Sequence, residues 1–230
     1  MKTIPYSRQS ITQDDIDSVA DVLRSDWLTQ GPKVREFEEA LASRCGAKHC
    51  VVVANGTVAL HLACLALEIK ERDAGLTSPL SFLASANCIA YCGGTPRFAD
   101  IDRSRLCLSP AAVEEYCTTH KAPKVVIPVD FAGVPADLPG FRELSEKYGF
   151  RVIEDAAHAI GSTYTIDGKE VACGSCTHTD LAIFSFHPVK TITTGEGGAI
   201  LTNDDALAAK LRRLANHGIE RDSSNFVPGH

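Results

Sequence analysis

Three short segments of this chain hold residues that could do chemistry together. In Ser185-Phe186-His187-Pro188-Val189-Lys190-Thr191-Ile192-Thr193-Thr194-Gly195-Glu196-Gly197-Gly198, a lysine lies between two apolar runs, bounded by a proline and a glycine-rich turn. A lysine that reacts as an amine must be unprotonated part of the time, and a desolvated pocket lowers its pKa toward neutrality. Lys190 therefore reads as a Schiff-base nucleophile. The apolar run Arg151-Val152-Ile153 ends in Glu154-Asp155-Ala156-Ala157-His158. A carboxylate leaving an apolar run needs a cationic or donor partner. Asp155 suits a protonated ring nitrogen; a helix cap for Asp155 and an ordinary structural hydrogen bond for His158 are the other readings. Finally, Cys50–Ala54 runs into Asn55-Gly56-Thr57 and a helical pattern from Val58. Free N–H groups and a hydroxyl at a helix start suit a phosphate, although the helix dipole contributes only ~0.3–1 kcal/mol. A bare turn with Thr57 as N-cap is the alternative. Neither a Gly-Lys-Ser/Thr loop nor dinucleotide glycine spacing follows.

As a set, the segments supply a phosphate cradle (Gly56, Thr57, Ser185), an acid for a ring nitrogen (Asp155) and an amine (Lys190). Phe82, in Ser81-Phe82-Leu83-Ala84, adds an aromatic that could stack on a flat ligand. These are the parts pyridoxal 5′-phosphate requires of a protein. Two rival arrangements use the same chain. Ser185, His187 and Asp155 could form a hydrolytic triad, but the G-x-S-x-G elbow is missing and Pro188 stiffens His187. Cys173-Gly174-Ser175-Cys176 followed by His178 has metal-ligand spacing. One C-x-x-C without a second ligand pair is thin support for zinc, so no metal is expected.

Such residues need a scaffold to hold them. Candidate strands are Cys50–Ala54, Gly75–Ser78, Pro96–Ile101, Lys124–Val129, Arg151–Asp155, Leu181–Phe184 and Ala199–Thr202. Several lack polar alternation, as strands covered on both faces do. Helical patterns lie between them: Thr12–Ser25, Lys33–Arg44, Thr57–Leu67, Ala84–Cys92, Pro110–Thr118, Leu138–Tyr148 and Asp204–His217. Thr12 and Asp15 have capping-box spacing, and Ser109 before Pro110 reads as an N-cap. Strand–helix alternation implies an α/β domain with a mainly parallel sheet, whose ligands bind beyond the carboxyl ends of the strands. At 230 residues and 44% hydrophobic, the chain has material for a full core. A net charge of −6 argues against a nucleic-acid or anionic-membrane partner. No apolar run approaches the ~18 residues of a membrane span, and nine scattered cysteines in apolar surroundings suit a reducing, cytoplasmic location.

The ordered motifs Leu28-Thr29-Gln30-Gly31-Pro32, Asn55-Gly56-Thr57-Val58-Ala59-Leu60, Glu154-Asp155-Ala156-Ala157-His158, Ser185 through Lys190, and Thr194-Gly195-Glu196-Gly197-Gly198 resemble those of the DegT-type sugar-nucleotide aminotransferases. The resemblance implies the large domain of a fold-type-I pyridoxal phosphate enzyme: a mainly parallel seven-stranded sheet with helices on both faces, in three αβα layers. It implies residues 1–230 as that domain, with a helical segment over residues 1–32. Relatives continue past Ile219 into a loop that reaches a homodimer partner's cofactor, then into a small C-terminal domain, which this chain is expected to lack. Lys190 is implied as the Schiff-base lysine and proton shuttle, and Asp155 as partner of the ring nitrogen. His158 and Phe82 are implied against the cofactor ring, with Ser185, Gly56 and Thr57 on its phosphate. Tyr6, Thr29 and Gln30 fall at sugar-pocket positions. Ile4–Gln9 and Phe186–Thr194 resemble the branch serving pseudaminic acid biosynthesis. That branch implies L-glutamate as amino donor and a UDP-linked 4-keto-6-deoxy-N-acetyl-hexosamine as acceptor. A perosamine-type nucleotide sugar and a binding-only protein are the alternatives.

Overall fold

The computed structural model describes residues 4–5 and 7–219; residues 1–3, Tyr6 and residues 220–230 lie outside the described residues. Two helices come first, α1 (Gln13–Arg24) and α2 (Pro32–Cys45). The α/β alternation then runs β1 (His49–Val53), α3 (Gly56–Ala66), β2 (Ala74–Thr77), α4 (Ala84–Tyr91) and β3 (Thr95–Phe98). A small ribbon, β4 (Ile101–Asp102) with β5 (Cys107–Leu108), leads to α5 (Pro110–Thr119), β6 (Val125–Ile127), α6 (Leu138–Tyr148) and β7 (Arg151–Asp155). A hairpin, β8 (Thr163–Ile166) and β9 (Lys169–Ala172), precedes β10 (Leu181–Ser185), β11 (Gly198–Thr202) and α7 (Asp205–Ala215).

The main sheet has seven strands in the order β1-β11-β10-β7-β6-β2-β3. β11 pairs antiparallel with both β1 and β10, whereas β10-β7, β7-β6, β6-β2 and β2-β3 are parallel. The ends of β1, β2, β6, β7 and β10, together with the start of β11, therefore share one edge.

Strand side chains alternate between faces, and the core divides accordingly. Val51, Ile153, Ile183 and Ile200 pack under α3, α4 and α7 on one face. On the other, Cys50, Ala182, Phe184 and Leu201 meet α2 and the Cys173–Cys176 turn. Leu76, Val126 and Val152 meet α5 and α6 on that second face. This gives three αβα layers with buried inner strands, the arrangement expected from the continuous apolar runs.

Local chemistry explains the boundaries. The Thr12–Asp15 capping box forms in both directions, and Ser109 Oγ accepts from Ala112 N–H ahead of Pro110. Two expectations need correction. Pro96–Ile101 is not one strand: it stops at Phe98, and Ile101 pairs instead with Leu108 because the Asp102 carboxylate folds a turn onto Ser104 and Arg105. Likewise, Lys124–Val129 shortens to Val125–Ile127 at Pro128, which has no N–H, although Val129 still bridges to Asp155. The β8–β9 hairpin was not anticipated. Its Asp167-Gly168 turn has φ of 49° and 74°, the left-handed pair that hairpin twist favours.

Helix α1 buries none of its residues, so Ile16, Val19 and Leu23 form an uncovered apolar stripe, with Trp27 and Leu28 exposed beyond it. No helix among the described residues is long and apolar enough to cross a membrane. The fully buried Ile183 on central β10 sets the scale of the core. Ile183→Ala should lower stability by about 2–5 kcal/mol in urea titration, the usual cost of a buried cavity.

Candidate active site

The shared strand edge begins at the β1–α3 turn. Asn55, in extended conformation, accepts from Val58 N–H at 2.9 Å and is the N-cap of α3. Thr57 is thus a half-buried residue of the first turn and not the cap, which corrects one sequence reading. Because the cap leaves other first-turn N–H groups without a helical acceptor, Gly56 and Thr57 present donors at the positive end of α3. Gly56 is required by close approach: a Cβ there would lie 2.8 Å from Ser185 Cβ. Gly198 meets the same limit, since a Cβ on it would run into the Asn55 carbonyl. With Val53 and Ser185 paired on either side of Gly198, the helix start, a hydroxyl and a bare strand meet at one corner.

Asp155 ends β7 beside Ile183 of β10 and is 4% exposed. Its Oδ2 accepts from Ser85 Oγ at 2.7 Å and its Oδ1 from Ala157 N–H at 3.2 Å. Burial pushes its pKa up, while the Ser85 and Ala157 bonds and the charges of His158 and Lys190 pull it down. No helix begins at Asp155, so it is not a helix cap. His158 is half-buried, and its Nδ1 accepts from Ala132 N–H at 3.3 Å. This bond places the proton of the neutral ring on Nε2. Burial and, next, the Lys190 charge lower the His158 pKa. Burial lowers the Lys190 pKa as well, with Asp155 opposing. Lys190, Asp155 and His158 are thus one electrostatic group.

Lys190 belongs to no strand or helix, and the ends of its loop hold it. Phe186 N–H donates to Gly197 O at 2.8 Å, and Thr193 Oγ1 and Thr194 N–H both donate back to Phe186 O. Phe186 is fully buried edge-on to Phe37 of α2, 5.2 Å between centroids. The turn His187–Lys190 closes by Lys190 N–H donating to His187 O at 2.9 Å. His187 is exposed, and its Nδ1 accepts from Val189 N–H, so it forms no triad with Ser185 and Asp155.

Phe82 precedes α4 and is 70% exposed, three residues before Ser85. Ser85 is the site residue that sequence reasoning missed, since nothing marks one serine among several before a helix. Thr29 and Gln30 are exposed in the turn before α2. Gln30 lines a cavity of about 1050 Å³ along β1 with Glu38, His49, Val53 and Arg212. Lys190, Asp155 and His158 do not line it, so the described chain does not bring Gln30 to them. Tyr6 lies outside the described residues. His178 meets Tyr164 Oη at 2.8 Å, and Cys173 and Cys176 are buried, so the C-x-x-C segment gathers no His178 ligand.

A family model described as the DegT/DnrJ/EryC1/StrS aminotransferase family matches residues 9–229. The chain belongs to that family. Among solved structures, the DegT-family chain is similar to "Helicobacter pylori PseC, aminotransferase involved in the biosynthesis of pseudoaminic acid". That match has 32% identity and TM-score 0.85, over 96% of this chain and 58% of that one. It is similar to DesI, solved in the presence of its TDP-sugar product, at 32% identity and TM-score 0.82, over 94% and 53%. It is also similar to NtdA from Bacillus subtilis, solved with bound cofactor PMP, at 27% identity and TM-score 0.81, over 95% and 48%. The chain therefore spans about half the length of these structures. The fold is the large domain of fold type I.

The residues fit pyridoxal 5′-phosphate. Gly56 and Gly198 let the start of α3, Ser185 and the β11 backbone approach closely, so that first-turn N–H groups and the Ser185 hydroxyl stand together at one strand edge. A buried carboxylate stands at the adjoining strand end, and a half-buried lysine with a lowered pKa stands close to it. Gly56→Ala should weaken binding of pyridoxal 5′-phosphate more than that of pyridoxal, which lacks the phosphate, as read by absorbance titration. Ser85→Ala should raise the Asp155 pKa further and cost about 10-fold or more in cofactor affinity, since a hydrogen bond to a charged group is worth about 1.5–3 kcal/mol. Unchanged affinity in the same titration would remove Ser85 from the site.

Proposed function

We propose that this chain is the cofactor-binding large domain of an aminotransferase acting on a nucleotide-linked 4-keto sugar, with L-glutamate as donor. The observation that carries the reading is Lys190 beside Asp155: an amine shifted toward its neutral form, within electrostatic reach of a buried carboxylate. When bound, pyridoxal 5′-phosphate supplies an aldehyde that condenses with amines and a ring that takes up the electron pair left by a departing proton.

The chain's own residues supply the rest. The N–H groups of Gly56 and Thr57 and the Ser185 hydroxyl bind the phosphate and set the depth of the ring. Asp155, held by Ser85 and Ala157, keeps a proton on the ring nitrogen, so negative charge is drawn toward that end. The His158 ring, oriented by Ala132, offers Nε2–H to the face or rim of the cofactor. Phe82, exposed just before α4, would be the aromatic to cover the ring. Lys190 Nζ would serve as the base that takes the proton from the donor Cα, a transfer typically worth ~10²–10⁴ in rate. In the second half-reaction it returns a proton to sugar C4. Over the cycle, glutamate becomes 2-oxoglutarate, and the C4 carbonyl becomes an amine bearing one added hydrogen.

For the sugar, the PseC likeness and the segments Ile4–Gln9 and Phe186–Thr194 support a UDP-linked 4-keto-6-deoxy-N-acetyl-hexosamine. The activity would be that of UDP-4-amino-4,6-dideoxy-N-acetyl-β-L-altrosamine transaminase, in pseudaminic acid biosynthesis. Tyr6, Thr29 and Gln30 are proposed to line that sugar's pocket. The uncovered stripe on α1 with Trp27 and Leu28 supports a homodimer. Nine free cysteines support a cytoplasmic location.

Glutamate should bleach the visible absorbance of the cofactor-loaded chain, and Lys190→Ala should lose both that absorbance and at least ~10²-fold of the half-reaction rate. Glutamate with a panel of UDP- and dTDP-linked 4-keto sugars, read by product mass, identifies the acceptor. Cofactor binding without bleaching would make this a binding protein.

A further inference from the structure

On β7, Glu154 points away from Asp155, since consecutive strand residues face opposite sides, and it enters a cluster the reaction above leaves unused. Glu154, Asp130 and Cys173 each bring one O or S atom within 4.8 Å of the others. Glu154 is 1% exposed and Asp130 0%. Both Glu154 oxygens accept from Gly174 N–H at 3.1 Å, and Asp130 Oδ1 accepts from Ala136 N–H at 2.8 Å. Asp130 Oδ2 is buried with no hydrogen-bond partner.

Two ionised carboxylates cannot stand this close in a dry interior, and a buried acceptor without a donor is costly in its own right. One proton solves both problems. We propose that Asp130 and Glu154 hold a single proton between them, and that the pair positions Asp155 and His158 for the reaction.

The backbone shows how. Asp130 N–H donates to Asp155 O at 3.1 Å, and Asp155 N–H donates to Pro128 O at 2.9 Å. Asp130 also opens the turn Phe131–Gly133, in which Ala132, at φ 54°, aims its N–H at His158 Nδ1. The shared proton therefore ties this turn to Glu154, and through Gly174 to the segment behind the sheet. Losing it sets two like charges against each other and pulls the Ala132 donor off His158.

Burial pushes the proton release of both acids up. The Asp130 charge does the same to Glu154, and the Asp155 charge to Asp130. The other groups coupled to the pair are acids as well: Cys173 and Cys176 of the turn, Cys45 of α2, Tyr164 of β8, and Cys107 of β5. With folded-state pKa values raised, the stability due to the proton is full below the ordinary carboxyl pKa and is lost as pH rises through the raised one.

The positioning role rests on the aminotransferase reading; the shared proton does not. The test therefore starts with the cofactor-free chain. Its infrared spectrum should show the carbonyl stretch of a protonated carboxylic acid that persists above the ordinary carboxyl range and titrates away as pH rises further, and Asp130→Asn and Glu154→Gln should each lack it. An asparagine amide is a permanent N–H donor, so Asp130→Asn should lose the fall in stability that the wild type shows as pH rises through the raised pKa. In the loaded chain, Asp130→Asn should also remove the step that release of the shared proton adds to the pH titration of cofactor absorbance. If both variants fail to fold, the wild-type infrared titration decides alone. Absence of the band overturns the proposal. So does stoichiometric divalent metal that survives gel filtration in the wild type and is lost in Cys173→Ala, because the three side chains would then be a metal site.

Discussion

A carboxylate shut away from water destabilises a fold unless its surroundings return what hydration supplied, and Asp155 imposes that condition on every element around it. Ser85 must reach it, which fixes where α4 begins after β2. The chain must turn immediately after β7, so that Ala157 can present its N–H. A cation must stand in front, whether a ring nitrogen or the Lys190 ammonium. The groups that meet these demands are also the ones proposed to run the chemistry, so the stability of the strand end bears directly on the proposed site.

Lys190 solves its part of that problem through topology. If every strand ran parallel, the segment after β10 would have to leave on a long crossover. β11 instead turns straight back between β10 and β1, and the loop it closes is short enough to be pinned at both ends by Phe186. A side chain on an otherwise irregular loop is thereby held near a fixed carboxylate. The reversal also brings Gly198 against Asn55 and Gly56, so a single antiparallel strand builds both the lysine loop and the wall of the corner proposed for the phosphate.

Much of this could be read from residue order alone. Continuous runs such as Val125-Val126-Ile127 identify buried parallel strands because both faces are covered, and Ser109-Pro110 marks a helix start through local bonding. Asp155 and Ser185 stand out in the sequence because each sits where an apolar run stops, and the structure brings Asp155, His158 and Lys190 within electrostatic reach of one another. What escaped depends on distant partners. Ser85 matters only because α4 lands on the end of β7, 70 residues away in the chain. Asp130 and Glu154 meet across two strand ends, and no spacing rule connects them. The Asp167-Gly168 hairpin carries turn chemistry but only a weak strand signal, because its flanking strands are short and half-exposed.

The cysteines also have a consequence for how the protein meets oxidants. Seven of the nine thiols are buried, and burial pushes the proton release of several of them upward. Peroxides and electrophiles attack the thiolate, so a folded chain offers them little. The seven buried cysteines therefore add little redox sensitivity so long as the chain stays folded, which leaves Cys92, held low by its hydrogen bond with Cys64, and Cys117 as the more accessible thiols. Any event that opens the sheet, however brief, would expose a set of nucleophiles at once and turn a reversible excursion into covalent damage.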